Sequence, residues 1–418
     1  MKRNTNFVAM SLVMAMCIEP VLAAQPTIEE KIDILEQEME TLRGQLSKVQ
    51  GKGMQSNATG HEMSSAATGS TTIGGYGEIV LNNYRDSSKK DEADLKRFVI
   101  FLGHKFNDRL RLVSELEVEH AKADKNGGEV AMEQAYLEYG LSNTANARAG
   151  MMLVPLGIIN ETHEPPTFYG VERNEVESRI IPSTWRELGI AMQGEAMTGL
   201  EYNVGVSTSP DASQFKDASK AFRDMRTSGR QAAANDMGVF AALNYRAVPG
   251  LLLGAAVFSG DTAQDGNGAT AKTSLVGADA KLTVWDIHAK YTYSDFDLQA
   301  LYAQGAFSDT DKINTAAGLT AGSNKAAPKL FYGWYAQAAY HVWKKGDLDV
   351  APFLRYERYN TQQEVDAGYA TDPNNDETVT TVGVNFKLHP QVVLKADFQD
   401  YKTDSTKDRI NLGVGYMF

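Results

Sequence analysis

Cysteine is almost absent from this chain of 418 residues. Cys17 is the single one, so neither a disulfide framework nor a thiolate metal site can be built. An excess of basic residues is also lacking. With 41 Lys and Arg against 53 Asp and Glu, a net charge of -12 and a pI near 5.2, the chain has no electrostatic footprint for nucleic acid. No apolar run reaches the roughly 18 residues of a membrane-spanning helix. The mean hydropathy of -0.34 still allows a transmembrane barrel, whose lipid-facing and water-facing residues alternate and average out. Catalytic signatures are missing too. Histidines at 61, 104, 120, 163, 288, 341 and 389 form no HExxH and no His/Cys cluster, and no GxSxG elbow occurs. The glycines of IGGYGEI, residues 73–79, lack phosphate-loop spacing and are expected to relieve close packing within a strand. No catalytic residue, metal or cofactor is expected.

What is present begins with Met1-Lys2-Arg3, an apolar stretch over 7–18 and the small residues Ala23 and Ala24, the plan of an export signal over 1–24. Next, Ile28, Ile32, Leu35, Met39, Leu42, Leu46 and Val49 recur at steps of four and three, which predicts a coiled-coil oligomerisation segment over 25–50. The seam leaves two and three strands both open. Residues 51–71, rich in Gly, Ser, Ala and Thr, read as a flexible linker.

From 72 to 418 the text becomes short alternating runs separated by turn residues. In 408–418, Ile410, Leu412, Val414, Tyr416 and Phe418 occupy one face, and small or polar residues the other. Sixteen such segments are expected, at 72–83, 95–106, 109–121, 130–141, 146–152, 185–194, 198–208, 237–247, 251–259, 283–294, 297–307, 331–343, 347–358, 377–388, 391–401 and 408–418. Most match the length of a tilted strand crossing a hydrocarbon layer. Short turns such as Asn107-Asp108 alternate with long connections, and charges sit in mid-strand on one face. A soluble sandwich buries its apolar face; a closed barrel in lipid turns that face outward and satisfies every backbone group. The expected fold is all-β: a 16-stranded antiparallel transmembrane β-barrel over 72–418, with an N-terminal periplasmic α-helical coiled coil.

The terminal strand, ending in Tyr416 and the free carboxylate of Phe418, resembles the signal read by the bacterial barrel-assembly machinery. With the run RAGMMLVPLGIINETHEPPTFYG over 148–170, the whole plan resembles trimeric Gram-negative outer-membrane porins, in particular the group of phosphate-selective porins O and P. The resemblance implies a homotrimer of three pores seated in outer-membrane lipid, with the coiled coil in the periplasm. It also implies that the third long loop, about 153–184, folds inward as the constriction. Its candidate residues are Glu161, His163, Glu164, Glu172, Arg173, Glu175, Glu177, Arg179 and Arg186, a net negative set that does not by itself favour phosphate. Alternation points Arg97, Lys105, Arg109, Arg111, Glu115, Glu117, Lys290, Arg355, Lys387 and Lys395 into the lumen as pore wall. The expected function is passive diffusion of small hydrophilic solutes and ions, with anions such as phosphate open among them. The alternative is a structural tether or adhesin barrel anchored by its coiled coil, with loops 209–236, 260–282 and 308–330 as surface contacts.

Overall fold

The computed structural model describes residues 70–124 and 127–418. The expected export signal, the coiled-coil seam and nearly all of the linker lie outside the described residues. The strands are β1 (Ser70–Tyr84), β2 (Glu92–Lys105), β3 (Leu110–Glu119), β4 (Val130–Ser142), β5 (Ala145–Leu153), β6 (Arg186–Met197), β7 (Leu200–Thr208), β8 (Met237–Tyr245), β9 (Leu251–Gly260), β10 (Leu282–Tyr293), β11 (Phe296–Phe307), β12 (Leu330–Tyr340), β13 (Trp343–Lys345), β14 (Leu348–Glu364), β15 (Asp376–His389), β16 (Val392–Tyr401) and β17 (Arg409–Met417). Both β12 and β13 pair with β14, so they are one barrel strand interrupted at His341 and Val342, and the barrel has sixteen. All sixteen expected segments are found. β1 begins at Ser70, inside the segment read as linker.

Every strand is antiparallel to its neighbours, and β1 pairs with β17 from Tyr76↔Met417 to Tyr84↔Arg409, which closes the sheet. Closure leaves no sheet edge, the condition lipid imposes on a spanning sheet. The outer face exposes Ile79, Ile100, Leu102, Ile190, Val239, Leu243, Ile287, Leu354, Val382 and Ile410, an apolar belt. The inner face buries Glu78, Arg97, Glu115, Glu117, Asp286, Arg355, Glu357, Lys395 and Asp397. Glycine in β1 does serve close approach. A Cβ on Gly75 would lie 2.2 Å from the Val99 carbonyl oxygen, and one on Gly77 would lie 2.5 Å from the Tyr416 hydroxyl.

One part of the inner face departs from the expected polar lining. Phe240, Phe258, Leu282, Val284, Leu301, Phe307 and Phe331 also point inward and are buried. Loops 209–236, 261–281 and 308–329 cover them with Phe222, Met225, Leu275 and Ile313, and Trp185 packs 4.9 Å from Phe222 and 4.7 Å from Phe258, ring centre to ring centre. These loops bury apolar side chains against the inner wall, where the adhesin reading has them as surface contacts. Burial of this cluster removes apolar area from water inside the barrel. Polar space on the long-loop side therefore lies beside β2, β3 and β17.

Candidate constriction

Residues 154–185 connect β5 to β6 and cross the lumen. Glu177, in the single helical turn Val176–Arg179, ties the two limbs of this loop together: its carboxylate accepts from the backbone N–H of Ile158 (2.6 Å) and Ile159 (2.7 Å), from the Asn174 amide (3.1 Å) and from the Tyr335 hydroxyl (2.6 Å). The far wall then holds the crossing. Lys395 Nζ donates to the carbonyls of Phe168 (2.9 Å) and Gly170 (2.8 Å), and Arg355 Nη1 to that of Tyr169 (3.0 Å). Asp397 accepts from Val171 N–H at 2.6 Å, and Glu357 from Glu175 N–H at 2.7 Å. Irregular backbone at membrane depth is tolerated where protein satisfies it.

These contacts sort the residues read from the sequence. Arg355 and Lys395 are buried anchors for loop carbonyls. Arg97 lies between Glu78 (2.9 Å) and Glu117 (3.3 Å). Lys105, Arg109 and Arg111 are exposed around a wider cavity of about 730 Å³ at the short-turn mouth, where Arg111 pairs with Glu138 at 2.6 Å. Lys290 and Lys387 are half-buried on the inner wall, and Glu164 is half-buried in the loop. Glu161 is exposed at the short-turn end beside Glu195 and Glu201. Arg186 is the first residue of β6 and sits 3.5 Å from Glu133. His163 is buried against Glu115 at 3.3 Å.

The remaining loop residues, Glu172, Arg173, Glu175 and Arg179, meet in a cavity of about 290 Å³ on the long-loop side of the crossing. Lys96, Arg97, Lys220, Arg223, Arg409 and Glu119 complete its charged lining, so seven cationic side chains face three carboxylates. Lys96 pairs with Glu172, and Arg179 with Glu175. Arg173, Lys220, Arg223 and Arg409 have no ion-pair partner among the described residues. Burial opposes charge on Glu172, yet Lys96 and Arg409 hold its carboxyl well below the usual carboxylate range. Burial likewise opposes charge on Glu175, but Arg179, Arg409 and the Tyr401 hydroxyl bring it down to about 2 from an ordinary 4.5.

A carboxyl with a depressed pKa contributes stability that is complete above its ordinary value and disappears as pH falls through the depressed one. The docking Glu175 provides should therefore persist until pH approaches about 2. Glu175→Gln should therefore change the single-channel amplitude by the same factor at about pH 7 and about pH 4. An effect of the substitution present at about pH 7 and lost at about pH 4 would contradict the contacts described for Glu175.

Lys96, Lys220, Arg223 and Arg409 were not among the candidates the sequence supplied. Lys96 is the extra residue of a β-bulge: Glu78 pairs with Arg97 and Ile79 with Leu95, and the skipped Lys96 turns inward beside Arg97. Its trace in the sequence is the step from Leu95 to Phe98, three positions where the outward residues otherwise step by two.

A closed sixteen-strand barrel with an apolar belt, a charged interior and an inward-folded third long loop defines an outer-membrane porin, a channel protein and not an enzyme. Residues 73–412 match the model of the phosphate-selective porin O and P family, and the chain belongs to that family. An uncharacterized protein of Aquifex aeolicus (strain VF5) is 31% identical over 358 residues, which span 83% of this chain and 80% of that protein. Among solved structures, OmpF of Salmonella typhi in complex with daunomycin is similar at a TM-score of 0.56 and 13% identity, covering 83% of this chain and 97% of its own. The anion-selective porin of Comamonas acidovorans gives a TM-score of 0.52 at 13% identity, over 84% and 100% of the two chains. The trimer form of OmpT from Vibrio cholerae also gives 0.52 at 13%, over 84% and 100%. These three likenesses are likenesses of fold.

Proposed function

We propose that the channel favours anions, phosphate among them, while passing small hydrophilic solutes down their gradients. The carrying observation is the surplus of cationic side chains around the cavity above the crossing loop, seven against three carboxylates, four of the seven lying outside salt-bridge distance of any described carboxylate. Fixed charge in a narrow, partly dry opening biases which ions enter. The net negative charge of residues 161–187 is a poor guide, because Glu177 is occupied by hydrogen bonds and Glu172 and Glu175 are paired.

The same reading makes the protein a homotrimer in outer-membrane lipid, joined in the periplasm through the seam at 25–50. Tyr416 and Phe418 then act as the assembly signal for the barrel-assembly machinery. In support, Phe418 N–H donates to the Gly75 carbonyl at 2.9 Å and its carbonyl accepts from Gly75 N–H at 3.0 Å, so the last residue completes the closing seam. The anion reading is tested by chloride current through single channels as inorganic phosphate is added. A saturable decrease is expected; a current that phosphate leaves unchanged, beyond its effect on bulk conductivity, would remove phosphate from the proposal.

A further inference from the structure

Below the cationic cavity, three buried side chains that sequence spacing does not connect come together. Glu115 of β3, Glu133 of β4 and His163 of the crossing loop are 1%, 0% and 3% exposed. His163 Nε2 is 3.3 Å from Glu115 Oε1 and 3.4 Å from Glu133 Oε2, and the three donor atoms lie within 4.8 Å of one another. Four tetrahedral ligands at zinc-like bond lengths of about 2.0 to 2.1 Å are spaced by roughly 3.4 Å, so two of these three separations suit a shared ion.

Four further observations point the donors at a common centre. Neither carboxylate oxygen of Glu133 has a hydrogen-bond partner, although the residue is fully buried. Arg186 contacts Oε1 at 3.5 Å and leaves Oε2 to the centre. A β-bulge delivers the side chain: Glu115 pairs with Gln134 and Leu116 with Met132, which skips Glu133 and turns it inward. The Gln134 amide donates to Glu115 Oε2 at 2.7 Å and leaves Oε1 free to face His163. Finally, His163 Nδ1 is 3.1 Å from the Asn160 carbonyl, which can only accept, so Nδ1 carries a proton. That hydrogen bond is the usual outer-shell partner of a metal-ligating imidazole, and it leaves Nε2 facing the two carboxylates across a gap that a proton or a metal ion can fill.

We propose that Glu115, Glu133 and His163 bind a divalent transition metal of the zinc class, which fixes the first limb of the crossing loop to β3 and β4. One imidazole and two carboxylates suit zinc better than calcium, which takes six to eight oxygens at longer distances. Two carboxylates neutralise the dication, so the occupied centre carries no net charge.

The test uses folded full-length protein in detergent, stripped by a chelator and then titrated with Zn²⁺ alone, with bound metal counted by elemental analysis. One tight equivalent per chain is expected. Glu133→Gln and His163→Gln should each weaken it at least about tenfold, since even outer-shell changes cost that much. Glu92→Gln, at an exposed position of β2, should not. Heat-modifiable electrophoretic mobility reports whether each variant is folded. Cobalt in place of zinc should give the visible bands of a tetrahedral site in the unmodified protein. An unmodified protein that lacks those bands, or that binds zinc no better than folded Glu133→Gln, overturns the proposal; the centre would then hold only a proton.

Discussion

Replacing Arg173, Lys220 and Arg223 together by glutamine is expected to abolish the channel's preference for anions. These three side chains line the cavity above the crossing loop and none has a carboxylate partner among the described residues. At about 10 Å and an effective dielectric constant of about 40, a unit charge changes an ion's energy by ~0.8 kcal/mol, about fourfold in partition. Three removals acting together, and partly screened by salt, should lower the anion-to-cation permeability ratio by more than about tenfold. Lysine or arginine neutralised at the short-turn mouth is a weaker lever. Lys105 and Arg109 are exposed around the larger cavity, where water and salt screen them. If the triple variant keeps the permeability ratio of the parent, the cationic cavity is not the selecting point.

The second large effect is expected from Arg355→Met with Lys395→Met. Between them these side chains donate three hydrogen bonds to the loop carbonyls of Phe168, Tyr169 and Gly170. Hydrogen bonds from charged donors contribute about 1.5 to 3 kcal/mol each, so losing the pair should raise the undocked fraction of the loop more than about a hundredfold. Glu357 and Asp397 would lose their buried counter-charges at the same time, which compounds the loss. Single-channel records should then show frequent transitions to a larger conductance. Quiet channels of parental amplitude would mean that the loop is held by Glu177 and the apolar cluster around Trp185 alone.

The barrel was legible because a strand with lipid on one side and a polar interior on the other writes a period of two into the sequence, and most of the sixteen segments carried it. The site was legible only where that period holds. Arg97, Glu115, Glu117, Arg355 and Lys395 were placed inward by parity, and the structure has them there. Parity cannot tell a charge that faces water from one that holds a loop, which is why Arg355 and Lys395 read as pore wall. It fails outright at the two bulges, where Lys96 and Glu133 turn inward out of phase. It is also silent about loops, so Lys220 and Arg223 could not be assigned to the lumen. The luminal core left a trace of its own. In LLLGAAVF, over 251–258, alternation disappears because both faces are apolar, one toward lipid and one toward the covering loops.

The most direct measurement is the reversal potential of the unmodified protein in a planar bilayer across a potassium chloride gradient. The cation-lined cavity requires a zero-current voltage displaced toward the chloride equilibrium potential, and the displacement should shrink as salt rises and screens the charges. A displacement toward the potassium potential would contradict the account, because the carboxylates of the crossing loop would then be outweighing the cations that surround them.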